Sequence, residues 1–125
     1  MKIPVILQKV SAGFPSPATD YVQDEIDLNN ELIKNPPATF LIRVQGNSMN
    51  DHKITSGDLL VVDRILNLKN DCIAIINFNN ELVVKNIIKE NNNFYIKNKA
   101  EKILISENSD VNVWGIVTYI IHAAH

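Results

Sequence analysis

The sequence predicts a mainly β protein: a twisted, barrel-like β domain preceded by an N-terminal arm with one or two short helices. Three observations predict this. From Ala38 onward, short runs rich in Val, Ile, Leu and Phe recur at close spacing with turn residues between them. Helix-like spacing of apolar residues is confined to the stretch before Asn35-Pro36-Pro37. The length of 125 residues and a hydrophobic fraction of 46% fit one domain with its own core rather than a disordered chain.

Residues 1–17 read as an arm, because Ser11-Ala12-Gly13 is small and Pro15-Ser16-Pro17 fits neither regular helix nor central strand. From Ala18 to Lys34 the residues Val22, Ile26, Leu28, Leu32 and Ile33 recur at steps that predict short helices, stopped by the two prolines. Thr39-Phe40-Leu41-Ile42-Arg43-Val44 then predicts a strand. Leu59 to Val62 predicts another, entered through the turn signal Ser56-Gly57-Asp58. Cys72 to Phe78 and Leu82 to Ile88 flank Asn79-Asn80-Glu81, a hairpin signal. Phe94-Tyr95-Ile96, Ile103-Leu104-Ile105 and Val111 to Ile121 complete the set. The division expected is an arm over 1–37, holding the short helices, and a β-rich domain over 38–125. Neither an internal repeat nor a helix-turn-helix precedes the β region. The asparagine-rich stretch Asn91-Asn92-Asn93 is read as compositional bias, with no function assigned.

Composition excludes several function classes. Twelve Lys+Arg against fourteen Asp+Glu leave a net charge of -2, with no concentrated basic surface for phosphate neutralisation. Strong DNA binding by the protein itself is therefore not expected. No apolar stretch approaches the ~20 residues of a membrane span, and Pro4 and Gln8 break the short apolar start that a secretory signal would need. Cys72 is the only cysteine and sits in the apolar run Cys72-Ile73-Ala74-Ile75-Ile76, which predicts a small buried hydrophobe. A lone thiol is compatible with the reducing cytoplasm, the expected location. Three histidines, two of them at His122 and His125, and one distant cysteine do not make a metal site. There is no phosphate loop or dinucleotide fingerprint, and no cofactor is expected.

Two residues could carry chemistry. Val44-Gln45-Gly46-Asn47-Ser48-Met49-Asn50 interrupts the β pattern, and Gly46 permits a backbone turn that would expose the Ser48 hydroxyl and neighbouring N–H groups. A serine in a loop is more often structural or solvated. Lys85 lies in Leu82-Val83-Val84-Lys85-Asn86-Ile87-Ile88, where alternation puts it on one strand face with Val83 and Ile87. If that face is covered, desolvation favours the neutral amine that a lysine base requires. The bland alternative is an exposed lysine guarding a sheet edge. A Ser–His–Asp triad from Ser48, His52 and one of Asp51, Asp58 or Asp63 is also open, but nothing in the spacing selects it.

Three segments resemble one family. Ala12-Gly13-Phe14-Pro15-Ser16-Pro17-Ala18-Thr19-Asp20-Tyr21-Val22, followed by Ile26-Asp27-Leu28-Asn29, resembles the start of the UmuD branch of the LexA/UmuD-type self-cleaving peptidases. Gly46-Asn47-Ser48-Met49 resembles the G-x-S-M nucleophile motif of those peptidases, and Val83-Val84-Lys85 the strand with their catalytic lysine. Val113-Trp114-Gly115-Ile116-Val117 resembles their closing strand. The separations of Ala12 from Ser48 and of Ser48 from Lys85 match the family without gaps. The resemblance implies Ser48 as nucleophile and neutral Lys85 as its base. It further implies the backbone N–H groups of Asn47 and Ser48 as oxyanion donors, Ala12–Gly13 as the cleaved bond, and Val10 as an apolar anchor in the substrate groove. It also implies a homodimer, stimulation of cleavage by a RecA filament on single-stranded DNA, and a product that serves a UmuC-like error-prone polymerase in the SOS response to DNA damage. The sequence departs from the family in a short arm before the cleavage site and in alanine where the UmuD branch often has cysteine. The competing readings are a catalytically idle interaction module, a peptidase that processes other proteins, and a phage- or plasmid-encoded modulator of host mutagenesis.

Overall fold

The computed structural model describes residues 1–6, 12–13 and 23–124. Val10, and the start of the helix-like pattern from Ala18 to Val22, lie outside the described residues. The chain divides into two units, Met1–Lys34 and Asn35–His125.

In the first unit, β1 (Lys2–Ile6) pairs antiparallel with β2 (Gln23–Asp27), Lys2 opposite Asp27 and Ile6 opposite Gln23. A single helical turn, α1 (Leu28–Leu32), follows at once. Residues 2–6 form a strand within the stretch expected as an arm. Residues 23–27 form a strand where the spacing predicted helix, which corrects that expectation. The reason lies in Asp27, whose carboxylate accepts the Asn29 N–H at 3.0 Å as an N-cap. A capping residue needs extended backbone, and Asp27 has φ −95°, ψ 117°, so the helix begins after it and cannot run back through Ile26. Pro4 is tolerated because a two-stranded ribbon has an outer edge on each strand, where a missing N–H costs nothing.

The second unit opens with a 3-10 turn at Pro36–Ala38, then β3 (Thr39–Arg43), β4 (Leu59–Asp63), β5 (Ile73–Phe78), β6 (Glu81–Asn86), β7 (Ile88–Glu90), β8 (Asn93–Asn98), β9 (Glu101–Leu104) and β10 (Val111–Ile121). The fold class is mainly β, as the sequence predicts. Five strands form one antiparallel sheet in the order β3-β4-β10-β5-β6, and three form a second in the order β7-β8-β9. The stretch predicted as one strand from Leu82 to Ile88 is split at Ile87, and Ile88 begins the second sheet. Ile87 itself is fully buried.

The turns follow from asparagine chemistry. Asn79 and Asn80 have φ of 50° and 70°, and Asn91 and Asn92 have φ of 50° and 66°. Each pair closes a two-residue hairpin, β5–β6 and β7–β8, whose twist requires two left-handed residues. Asparagine reaches that region more readily than other non-glycine residues. Part of the asparagine run read as compositional bias therefore has a structural task.

Alternation sorts the core into two clusters. Val44, Met49, Ile54, Leu60, Val62 and Ile75 form one, with Val84, Trp114 and Val117 packed against it. Cys72, Ala74, Ile76, Ile87, Ile96 and Ile116 form the other, with Val83 and Val113 against it. Cys72 is buried, as its apolar run predicts. Gly115 sits where the β10–β5 register shifts, and a Cβ there would meet Val62 Cγ1 at 2.5 Å. Val62 is fully buried and β-branched, so it has little freedom to move aside. Gly115→Ala should therefore destabilise the protein by ~1–3 kcal/mol, the ordinary scale of overpacking, read as a lower urea midpoint with unchanged slope.

Candidate active site

Ser48 stands in the excursion between β3 and β4, and both ends of that excursion are tied down. At its root Val44 N–H donates to Asp58 O at 2.9 Å and Gly57 N–H donates to Val44 O at 2.8 Å, which extends the β3–β4 ladder beyond the strands. Gly46, with φ +100°, turns the chain out, and its N–H donates to Ser56 Oγ at 3.2 Å. Residues 45–48 are exposed, and Met49 then drops into the first core cluster with Ile54. Between them Asn50–His52 make a 3-10 turn, closed by Lys53 N–H donating to Asn50 O at 3.0 Å. The Ser48 hydroxyl is thus presented on a short exposed span between a hydrogen-bonded root and a buried methionine. Among the described residues, the N–H groups of Asn47 and Ser48 donate to no protein acceptor.

Lys85 lies on β6, an edge strand of the five-stranded sheet, directly opposite Ala74 of β5. Ala74 is fully buried and belongs to the second cluster, as do Val83 and Ile87 at its periphery and centre. Lys85 therefore emerges on the apolar face that alternation predicts, and it is half-buried. Its chain neighbour Val84 packs on the first cluster, the one that also holds Met49. The loop with Ser48 and the strand with Lys85 are in this way moored to one apolar body through adjacent residues. No hydrogen bond joins the Ser48 hydroxyl to the Lys85 amine among the described residues. Ala12 and Gly13 are exposed in a bend of the first unit, Gly13 with φ +118°.

The residues weighed for a histidine triad are engaged differently. His52 is exposed in its 3-10 turn. Asp63 is buried and accepts Asn35 Nδ2 at 2.6 Å and Ile65 N–H at 2.9 Å, which hold its carboxyl below the usual range against the opposing effect of burial. Asp58 is 3% exposed and accepts the Thr55 N–H at 2.9 Å, the Thr55 hydroxyl at 3.2 Å and His122 Nδ1 at 2.6 Å. The Thr55 N–H, then the His122 contact, hold the Asp58 carboxyl below the usual carboxylate range, and burial opposes them. Sequence reasoning read Ser56-Gly57-Asp58 as a turn but missed the partnership with His122. Nothing in the local pattern signals a contact across 64 positions.

Fold and loop together describe a β-sheet scaffold that presents a serine from a glycine turn, with a lysine on an apolar strand face. Residues 4–118 match the Peptidase S24-like family, so the chain belongs to that family, the LexA/UmuD-type peptidases, and to its UmuD-like side. It is 38% identical over 120 residues to protein MucA of Salmonella typhimurium, covering 94% of this chain and 82% of that protein. It is likewise 38% identical over 122 residues to protein ImpA of Shigella flexneri, covering 95% and 83%. The LexA repressor of Teredinibacter turnerae is 35% identical over 108 residues, which span 86% of this chain but half of that repressor. Among the described residues no helix is long and apolar enough to cross a membrane.

Depressed carboxyl pKa values make stability depend on acid. Between the folded-state and unfolded-state pKa values of Asp58 and Asp63, the unfolded chain binds more protons than the folded one, so stability falls as pH falls. Their contribution is complete above the ordinary aspartate value of ~3.9 and is lost as pH drops through the lowered values. Asp58→Asn should flatten the decline in urea midpoint below about pH 4 while leaving the share of Asp63 in place.

Proposed function

We propose that this protein is a self-cleaving serine peptidase of the SOS response, cutting its own Ala12–Gly13 bond, and that the product is the accessory subunit of an error-prone translesion polymerase. The observation that carries the reading is the exposed Ser48 on a loop anchored at both ends, in a chain that belongs to a peptidase family. In this reading residues 1–37 supply the arm with the cleavage site and residues 38–125 the Ser–Lys peptidase domain.

The chemistry runs as an acyl transfer. Neutral Lys85 takes the proton of the Ser48 hydroxyl as its oxygen attacks the Ala12 carbonyl. The N–H groups of Asn47 and Ser48, which donate to no protein acceptor among the described residues, hold the oxyanion. The Gly13 amine leaves with a proton returned by Lys85, and water then releases the new carboxyl end of Ala12. Val10 seats the arm by its apolar side chain. The half-buried position of Lys85 on an apolar strand face supports its role. The working assembly is a cytoplasmic homodimer, activated by a RecA filament on single-stranded DNA and delivered to a UmuC-like polymerase.

Incubation with RecA, an ATP analogue and single-stranded DNA should yield a product beginning at Gly13, identified by intact mass and N-terminal sequencing. Ser48→Ala and Lys85→Ala should each abolish cleavage in folded protein, Gly13 replaced by a bulky residue should block it, and His52→Ala should leave it within about twofold. Spontaneous cleavage should quicken as pH rises into the alkaline range where amines of lysine lose their proton, around ~10.4 in the free side chain. A histidine base would instead level off between roughly pH 6 and 8. Folded Lys85→Ala that cleaves at the wild-type rate would exclude the dyad, and a folded wild-type protein that never cleaves would favour the idle interaction module.

The net charge of -2 leaves DNA contact to the partners. Duplex DNA should bind the isolated protein with a Kd weaker than about micromolar at physiological salt, by fluorescence anisotropy. Nanomolar binding would favour a repressor-like role.

A further inference from the structure

The turn that closes the Ser48 excursion is held from the far end of the β domain. Thr55 to Asp58 form it: Asp58 N–H donates to Thr55 O at 3.1 Å, and Asp58 Oδ2 accepts the Thr55 N–H at 2.9 Å. The same turn reaches forward to the nucleophile segment, because Ser56 Oγ accepts the Gly46 N–H at 3.2 Å, two residues before Ser48. It is gripped on its outer side by Arg43, whose Nη1 donates to Gly57 O at 2.9 Å. On its buried side Asp58 Oδ1 accepts His122 Nδ1 at 2.6 Å, and Thr55 Oγ1 lies 3.2 Å from the same nitrogen. His122 directly follows β10, the strand hydrogen-bonded to both β4 and β5.

We infer that His122 is a positioning residue for Ser48, acting through the Asp58–Thr55 turn; the inference rests on the reading of Ser48 as nucleophile. Asp58 is buried, so its carboxylate cannot exchange a lost partner for bulk water without opening the turn. His122 is the reverse, 58% exposed on its side chain, and is not a core residue whose loss leaves a cavity. What it supplies is one directed N–H. That N–H is present on Nδ1 both in the imidazolium and in the Nδ1–H tautomer, so the contact does not require a charged ring. Without it, the Asp58 carboxylate keeps only its bonds to Thr55, inside its own turn. The side-chain tie from the turn to the residue after β10 is gone, which leaves the backbone pairing of Leu59 with Ile121. Gly46 and the exposed span 45–48 then sample more than one position, and the Ser48 oxygen spends less time where it can attack.

The test compares three full-length chains under RecA-stimulated cleavage, with Ser48→Ala as the reference. His122→Leu removes the donor, whereas His122→Asn returns an N–H near the position of Nδ1. The leucine variant should cleave about tenfold more slowly, in line with the loss of one hydrogen bond to a carboxylate, and the asparagine variant within about twofold of wild type. In the uncleavable Ser48→Ala background, hydrogen exchange at the Thr55 amide should accelerate with His122→Leu, while the amide of core residue Ile75 should not. If His122→Leu melts below the assay temperature, His122→Gln, which misplaces the donor by one methylene, takes its place with the same expected slowing. A His122→Leu variant, or the His122→Gln variant that replaces it, that is folded and cleaves at the wild-type rate overturns the inference, as does an asparagine variant as slow as either. Cleavage that persists in Ser48→Ala would instead overturn the assignment of the nucleophile.

Discussion

β10 is the constraint on which the rest of this structure depends. Its first half pairs with β5, Val111 opposite Phe78, and its second half with β4, Ile121 opposite Leu59. Ile116 is shared, opposite Ala74 on one side and Asp63 on the other. At Ile116 the strand has a ladder on both sides, and Ile116 and its neighbour Gly115 are its buried residues. Trp114, Val117 and Ile120 pack on one cluster and Val111, Val113 and Ile116 on the other. Two register shifts, after Val113 and after Val117, make this double duty work. A bulge sharpens local twist, and the smallest residue sits at the first shift, where Val62 of the neighbouring strand leaves no room for a side chain.

The same strand reaches the candidate site indirectly. On one edge of the sheet β3 leads into the Ser48 excursion, and on the other edge β6 carries Lys85. β10 lies between them with β4 and β5. Its packing fixes the spacing of two edges that the chain order leaves far apart. Arg64 adds a second tie, with its guanidinium carbon 4.2 Å above the Trp114 ring and its Nε donating to Trp114 O at 2.8 Å. Phe40 of β3 meets the edge of the same indole at 5.4 Å, so the strand that precedes the excursion is braced against β10 by side chains as well as through β4.

Lys85 shows how one position can satisfy two demands. An edge strand with Val83 and Val84 exposes unpaired backbone groups, and a lysine there discourages another chain from pairing. The apolar face on which it emerges leaves it half-buried. The edge location is common to both readings of this lysine that the sequence left open.

Alternation and turn chemistry are local, and they make most of the β domain legible in the sequence alone. The strands after Ala38, the Asn79-Asn80 hairpin, the buried Cys72, the glycine turn before Ser48 and the face of Lys85 all follow from neighbours within a few residues. The sequence misled where tertiary partners overrode spacing. β1 and β2 exist because they pair with each other, and the extended backbone at Asp27 interrupts the helical spacing that runs through Ile26 and Leu28. The break at Ile87 is decided by a second sheet that local pattern does not reveal. Nor could any pattern place His122 on Asp58, because a contact across 64 positions is made only when β10 is inserted between β4 and β5. The amino-acid sequence by itself determined the strands, the turns and the candidate nucleophile and base, since those rest on side-chain periodicity and backbone preference. Only the tertiary structure decided which buried carboxylate meets which imidazole, because that is a matter of strand order, which no local preference encodes.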